Sequence, residues 1–145
     1  MEVRQVNFDV NSFGITQRSL KMLRDALAQG IAHHVAVVEV PTNDLCCGFF
    51  IFDRELCSAV WTGDGFRTDR AGEGGAGYRS AETLFDLYGL RAIMWEPVNI
   101  EEVYTLPGEK VSGLLLGIAQ KIANEIDDGE FRLPLERMPG YVRGL

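Results

Sequence analysis

The pattern of apolar and polar residues predicts a chain of short strands interrupted by helices. Residues 2–10 alternate as a half-buried strand does, although the alternation slips at Gln5. Residues 33–40 are rich in β-branched side chains, residues 46–53 are apolar on both faces, and residues 56–61 form a third short strand. Because only short turns separate the last three segments, they are expected to pair as an antiparallel meander.

Three segments have the spacing of amphipathic helices. The first covers residues 16–29, with its threonine as the N-cap, and a short helix is predicted over residues 80–88, capped by its serine. The strongest pattern covers residues 111–126, where the apolar side chains form one stripe. Gly113 and Gly117 lie one turn apart in this helix, which would permit close approach of the sheet or of a second subunit.

Further strands are predicted over residues 92–95, 100–105 and 131–135. Grouped strands with interspersed helices, without regular βαβ alternation, predict an α+β fold: an antiparallel sheet with helices packed on one face. The chain has 145 residues and contains no linker, repeat or low-complexity segment. Residues 1–145 are therefore expected to form a single domain.

The net charge of the chain limits the kinds of molecule that it is expected to bind. The chain carries 21 acidic against 14 basic residues, a formal net charge of −7. This balance argues against general binding to nucleic acid polymers or to an anionic membrane surface, because such binding depends on neutralising phosphates. A small anion in a local basic pocket remains compatible with it. No apolar run reaches the ~18 residues of a membrane span, and residues 1–10 lack the regions of a signal peptide.

The cysteines and histidines predict neither a metal site nor a cofactor. Cys46, Cys47 and Cys57 lie in apolar, strand-like segments and form no CxxC pair, so reduced core thiols and a cytoplasmic location are expected. His33 and His34 are adjacent. Neighbouring strand residues point to opposite faces, so these two cannot both ligate one ion from that strand.

The candidate functional segment is residues 61–80, WTGDGFRTDRAGEGGAGYRS. Six of the fifteen residues from 63 to 77 are glycine, interleaved with arginines and aromatic residues. Backbone N–H groups, guanidinium forks and aromatic faces together suit a phosphorylated, base-bearing small molecule. The segment ends at the predicted helix start, Ser80, where anions are favoured. We therefore predict a mobile lid that closes on a ligand, with a long mobile surface loop as the alternative.

The predicted ligand-binding residues all lie in this segment: Gly63, Asp64, Gly65, Phe66, Arg67, Gly74, Gly75, Gly77, Tyr78, Arg79 and Ser80. Arg79 is assigned to phosphate because it adjoins the predicted helix start, and Phe66 or Tyr78 to stacking on a base. The alternative role for the arginines is pairing with neighbouring carboxylates, since residues 63–80 contain three arginines and three acidic residues.

Residues 72–77 match the GxGxxG pattern, but their context differs from a dinucleotide-binding fold. The preceding strand ends at Trp61, well before the first glycine of the motif, and the predicted helix starts only near Ser80. A Walker loop is also excluded, because Tyr78 stands where that motif requires lysine. No catalytic set of residues is predicted.

The segments WTGDGF and GEGGAGYRSAE, in a small acidic α+β domain, resemble the phage Thoeris anti-defence sponge proteins. Those proteins sequester cyclic ADP-ribose signals without cleaving them. The resemblance covers residues 58–90. It implies a homo-oligomer with ligand pockets at subunit interfaces, a glycine-rich loop that closes on the ligand, and no catalytic residue.

Three functions are therefore kept as hypotheses. The first is non-catalytic sequestration of a small phosphorylated nucleotide signal, of the cyclic ADP-ribose or cyclic nucleotide type. The second is an enzyme acting on a nucleotide or a related phosphorylated metabolite, with Asp64 or Asp69 as the acid–base group. The third is a protein–protein interaction domain, whose interface would include the arginine-bearing tail with Arg132, Arg137 and Arg143.

Overall fold

Six strands form one sheet, and three α-helices flank it, in the part of the chain that the computed structural model describes: residues 1–100, 103 and 105–134. The strands are β1 (Gln5–Asn7), β2 (Val35–Pro41), β3 (Cys46–Asp53), β4 (Ser58–Trp61), β5 (Phe66–Arg67) and β6 (Ile93–Met94). The helices are α1 (Thr16–Gln29), α2 (Gly72–Tyr88) and α3 (Gly108–Ala123). None of these helices is long and apolar enough to cross a membrane.

The sheet has the order β1-β4-β3-β2-β6, and β5 pairs with the start of β3. Strands β2, β3 and β4 are antiparallel neighbours, so the predicted meander is confirmed. The two outer strands are not antiparallel to their neighbours: β1 runs parallel to β4, and β6 runs parallel to β2. The sheet is therefore mixed, and the α+β class is confirmed.

Helices cover both faces of the sheet rather than the single face that was predicted. Alternate side chains of β2 and β3 point to opposite faces. Val37 and Ile51 pack with α1 and α2, whereas Val38 and Phe52 pack with α3. A central pair of strands that is apolar on both faces needs a layer on each side to exclude water, which is why one layer of helices is not enough.

The first helix begins and ends where the sequence predicts, but its capping differs. The N-cap residue is Ile15, and Thr16 is the first helical residue. The Thr16 hydroxyl donates instead to the Gly65 carbonyl oxygen, at 2.6 Å. The last helix begins at Gly108 and ends at Ala123, earlier at both ends than the predicted residues 111–126.

Two predicted strands near the C-terminus differ from the structure. The prediction over residues 100–105 is wrong where the chain is described, since Val103 and Thr105 are helical. Ile100 and Val103 are both buried, and the Val103 N–H donates to the Ile100 carbonyl at 2.8 Å, so their spacing of three fits a helical turn. In the described residues 131–134, the predicted strand reduces to one bridge between Arg132 and Val35. Residues 101, 102, 104 and 135–145 lie outside the described residues, including Arg137 and Arg143 of the tail.

The glycine-rich segment forms the start of α2 instead of a mobile lid. Gly74, Gly75 and Gly77 are buried within the first turns of this helix. A Cβ atom on Gly74 would lie 2.7 Å from the Arg67 side chain, one on Gly75 would overlap the Arg70 backbone, and one on Gly77 would overlap the Thr16 methyl group. The glycines therefore allow α2 to pack closely against α1 and the segment before it, and the lid prediction is wrong.

Replacing Gly75 with alanine is expected to destabilise the fold, by about 1–3 kcal/mol. The added methyl group would overlap backbone atoms of Arg70, which cannot move away as a flexible side chain can. Urea unfolding followed by circular dichroism measures the loss. Gly108→Ala is the control, because no described atom beyond its chain neighbours and its own helix backbone lies within 4 Å of its Cβ position. It should change the unfolding free energy by less than about 0.5 kcal/mol. Equal effects of the two substitutions would contradict the packing role of Gly75.

Candidate functional site

The predicted ligand-binding residues are distributed over the core, the start of α2 and one exposed face of α2. Gly63 and Gly65 are buried in the turn between β4 and β5. The Gly65 N–H donates to the Ser19 hydroxyl at 3.2 Å, and its carbonyl accepts from Thr16. The Gly65 backbone groups are already bonded to α1, so its N–H is not free to contact a phosphate group as the glycine pattern predicts.

Asp64 and Phe66 have structural roles. The Asp64 carboxylate accepts hydrogen bonds from the Gly14 N–H at 2.9 Å and from the Thr42 hydroxyl at 3.1 Å, which joins three loops. Phe66 is fully buried, and its ring meets that of Phe49 edge-on at 5.1 Å. The prediction that Phe66 stacks on a ligand base is therefore wrong, because the pairing of β5 with β3 places its ring in the core.

Arg67 adopts the alternative role that the sequence leaves open for the arginines. Its guanidinium group makes two hydrogen bonds to Asp69, at 2.6 and 3.0 Å. The same carboxylate accepts from the Ala71 N–H at 3.1 Å, directly before α2, and these bonds lower the pKa of Asp69. The N-terminus of α2 is thus occupied by a carboxylate of the chain itself, which is the kind of group that this helix end favours.

Ser80 lies in the middle of α2, because the helix starts at Gly72. The predicted phosphate position at a helix start beside Ser80 is therefore wrong. Asp64 and Asp69, the acid–base candidates of the enzyme hypothesis, are each held by partners within the chain: Asp64 by hydrogen bonds and Asp69 by an ion pair with Arg67.

Arg79 and Ser80 instead face a groove between α1 and α2, which we call the basic groove. Its volume is about 430 Å³, and its lining residues are Leu20, Arg24, Ala76, Arg79, Ser80, Thr83 and Leu84. One Arg79 nitrogen donates to the Arg70 carbonyl at 3.1 Å, which orients the guanidinium group. Among the described residues, neither Arg24 nor Arg79 forms an ion pair. Arg24 is the lining residue that the sequence does not reveal, since it depends on how α1 packs on α2.

A second region lies on another side of α2, around the carboxyl group of Glu39. Glu39 is a residue of the central strand β2 and is 2% exposed. Its Oε1 accepts from the Tyr78 hydroxyl at 2.6 Å, whereas its Oε2 is buried and has no hydrogen-bond partner among the described residues. Tyr78, predicted to stack on a base, thus holds a buried carboxyl group.

Burial is the main cause that raises the pKa of Glu39, and the nearby Glu82 carboxylate raises it further, while the hydrogen bond from Tyr78 opposes them. Burial and Glu39 also raise the pKa of Tyr78. The sequence contains a signal for this residue, because Glu39 is the one charged residue in the apolar run of residues 35–40. Burying a single charged side chain in a central strand costs free energy unless it is hydrogen-bonded or paired. Such a residue therefore marks a position where a polar interaction is needed.

The thiols and imidazoles lie outside both regions. All three cysteines are free thiols; Cys47 is buried, which raises its pKa, and Cys46 and Cys57 are half-buried. His33 and His34 have different partners, the carboxylates of Asp53 at 2.8 Å and Glu55 at 2.6 Å. In the described part of the chain, no group of three or more metal-ligating side chains converges.

Helix α2 thus borders two candidate regions in the described part of the chain: the basic groove, and the cleft beside Glu39 on another side of the helix. The first presents cations to solvent, and the second presents a buried carboxyl group. Comparisons with protein-family models, curated proteins and solved structures found no match to this chain.

The raised pKa of Glu39 predicts how stability changes with pH. The protonated carboxyl group is favoured in the folded chain, so its stabilising contribution is complete below the ordinary value near 4.5 and is lost as the pH rises through the raised pKa. Glu39→Gln is neutral at every pH, so its unfolding free energy relative to the wild type should increase with pH over that window. Urea unfolding of both proteins across the pH range measures the difference.

The titration of His33 does not affect the comparison between Glu39→Gln and the wild type. Its hydrogen bond to Asp53 raises its pKa, so its contribution also falls as the pH rises, but both proteins contain it and it cancels in the difference. A difference between Glu39→Gln and the wild type that stays constant with pH would contradict the raised pKa of Glu39.

Proposed function

We propose that the protein binds a small phosphorylated ligand of the nucleotide type in the basic groove, and holds it without chemical change. The observation that carries this proposal is the placement of Arg24 and Arg79 on facing helices, with no ion-pair partner among the described residues. Phosphate oxygens accept paired hydrogen bonds from guanidinium groups, and Ser80 and Thr83 add hydroxyl groups beside them.

The size and lining of the basic groove support a ligand larger than a free phosphate. Its volume of about 430 Å³ falls within the ~300–1,000 Å³ of small-molecule sites. Leu20, Ala76 and Leu84 supply apolar surface on which a ribose or base can pack. Within a chain of net charge −7, two guanidinium groups that form no ion pair with a described residue line one groove, which makes it the local basic pocket that a small anion needs.

Sequestration is favoured over turnover by the chemistry of the lining. The described lining of the basic groove consists of guanidinium, hydroxyl and apolar groups, which bind a phosphate ester. The buried carboxyl group of Glu39 borders a different cleft. The resemblance of residues 58–90 to Thoeris anti-defence sponges makes cyclic ADP-ribose signals and cyclic nucleotides the first ligands to test.

Ligand binding is tested by thermal shift and by calorimetry against a panel of cyclic nucleotides and ADP-ribose derivatives. At about 100 times its Kd, a ligand should stabilise the fold by ~2.7 kcal/mol. Each charge-assisted hydrogen bond is worth about 1.5–3 kcal/mol, so Arg79→Ala and Arg24→Ala should each weaken binding about tenfold or more. Arg18→Ala, an arginine of α1 that does not line the groove, is the matched control.

Absence of stabilisation by every member of the panel would overturn the proposed function. A loss of affinity in Arg18→Ala equal to that in Arg79→Ala would place binding outside the groove. Mass spectrometry of the ligand after heat denaturation of the complex separates the remaining alternatives. Intact ligand supports sequestration, and altered ligand supports the enzyme hypothesis.

We also propose that the functional unit is a homo-oligomer, as the resemblance implies. Gly113 and Gly117 are exposed on α3, and no described atom beyond their chain neighbours and their own helix backbone lies within 4 Å of their Cβ positions. They therefore do not serve close approach to the sheet, and a helix of a second subunit has room to approach there. Light scattering at two protein concentrations should give a multiple of the chain mass, and a monomer at both would contradict this proposal.

A further inference from the structure

The cleft beside Glu39, which we call the Glu39 cleft, is lined by a carboxyl group with one oxygen that has no hydrogen-bond partner among the described residues. The cleft has a volume of about 240 Å³ and lies between α2 and the end of the sheet at β6. Phe49, Phe85, Leu90 and Ala92 form apolar walls, and the polar lining includes the buried Glu39 and the half-buried Tyr78. Glu39 Oε2 is shielded from solvent and has no partner among the described residues.

A buried acceptor without a partner is a cost that native structures rarely carry without a reason. The Tyr78 hydroxyl satisfies Oε1 alone, at 2.6 Å. Neighbouring positions on the same face of the central strands carry apolar residues, so packing does not require a carboxyl group at this position. An outside donor that enters the cleft would satisfy Oε2 and remove the cost.

The charged side chains around the cleft favour a ligand whose hydrogen-bond donor is positively charged. Glu82 and Asp86 of α2 border it together with one cation, Arg91, so carboxyl groups outnumber guanidinium groups. Aromatic rings of Phe49, Tyr78 and Phe85 line it, and aromatic faces attract cations. The cleft thus combines carboxylates with aromatic rings, which is the combination that recognises an organic cation.

The chain already places a guanidinium group beside this region. Arg70 lies over the Tyr78 ring, 5.9 Å from its centroid, and pairs with Glu82 at 3.0 Å. Arg70 is not a lining residue of the cleft, so it leaves Glu39 Oε2 unsatisfied. Its position shows that a guanidinium group is accepted by the same ring and the same carboxylate that a ligand would meet.

We propose that the Glu39 cleft binds a small organic cation, an alkylammonium or alkylguanidinium group, which donates a hydrogen bond to Glu39 Oε2. The volume of about 240 Å³ is below the ~300 Å³ at which sites for drug-sized ligands begin, so the occupant is a small amine or guanidine. This site is distinct from the basic groove, because the two are lined by different residues of α2. It does not depend on the proposed function, and the two proposals can fail separately.

The experiment uses n-butylamine and n-butylguanidine as probes, with n-butanol as the uncharged probe of similar size. Titrations into the wild-type protein are followed by NMR of the aromatic side chains. Resonances of Tyr78 and Phe85 should shift with both cations at millimolar concentration and not with butanol. Equal shifts with butanol, or none with either cation, would overturn the proposal.

Two variants locate the contact. Glu39→Gln replaces the carboxyl group with an amide of nearly the same shape that carries no negative charge at any pH, and it should weaken binding of both cations by at least tenfold. Asp25→Asn is the control, since Asp25 is an exposed carboxylate of α1 that pairs with Lys21 away from the cleft. Unchanged affinity in Glu39→Gln would overturn the proposal. If this variant does not fold, the comparison of cations with butanol in the wild-type protein decides the outcome.

Discussion

The close contact between the start of α2 and the chain beneath it determines the geometry of both candidate sites. Gly74, Gly75 and Gly77 have no side chains, so the helix axis can lie against Arg67, Arg70 and Thr16. This approach brings Tyr78 to within 2.6 Å of Glu39 and holds Arg79 opposite α1. Methyl groups at Gly75 and Gly77 would overlap the Arg70 backbone and the Thr16 methyl group, so the helix could not lie this close to them.

The elements that the sequence predicts well are those whose signals are local. The meander of β2, β3 and β4 and the bounds of α1 follow from alternation, helical spacing and short turns. The start of α2 does not follow from such signals, because glycine has a low helix propensity and a dense glycine run is typical of loops. The tertiary contact at Gly75 and Gly77 stabilises a helix that local preference opposes. The glycine pattern therefore predicts a mobile lid over a ligand, whereas in the structure the glycines lie against the chain itself.

The candidate sites were predicted less completely than the fold, for a related reason. Arg79 and Ser80 were predicted from their place in the glycine-rich segment and do line a groove, although not at a helix start. Arg24 could not be predicted, since its position depends on the packing of α1 against α2. Glu39 does have a sequence signal, a single charge in an apolar strand, but its partner Tyr78 is distant along the chain and becomes its neighbour only through the fold.

Helix α2 separates two surfaces of opposite character. Arg79, Ser80 and Thr83 face the basic groove, whereas Tyr78, Glu82 and Asp86 recur at every fourth residue and face the Glu39 cleft. The equal numbers of acidic and basic residues in positions 63–80 therefore do not mean that the charges neutralise one another locally. The pairs of Arg67 with Asp69 and of Arg70 with Glu82 account for two of the three arginines, and Arg79 is left to the groove. The net charge describes the whole segment, but ligand binding depends on which charged side chains share one face of the helix. On α2, the face toward the basic groove carries Arg79, and the face toward the Glu39 cleft carries Glu82 and Asp86.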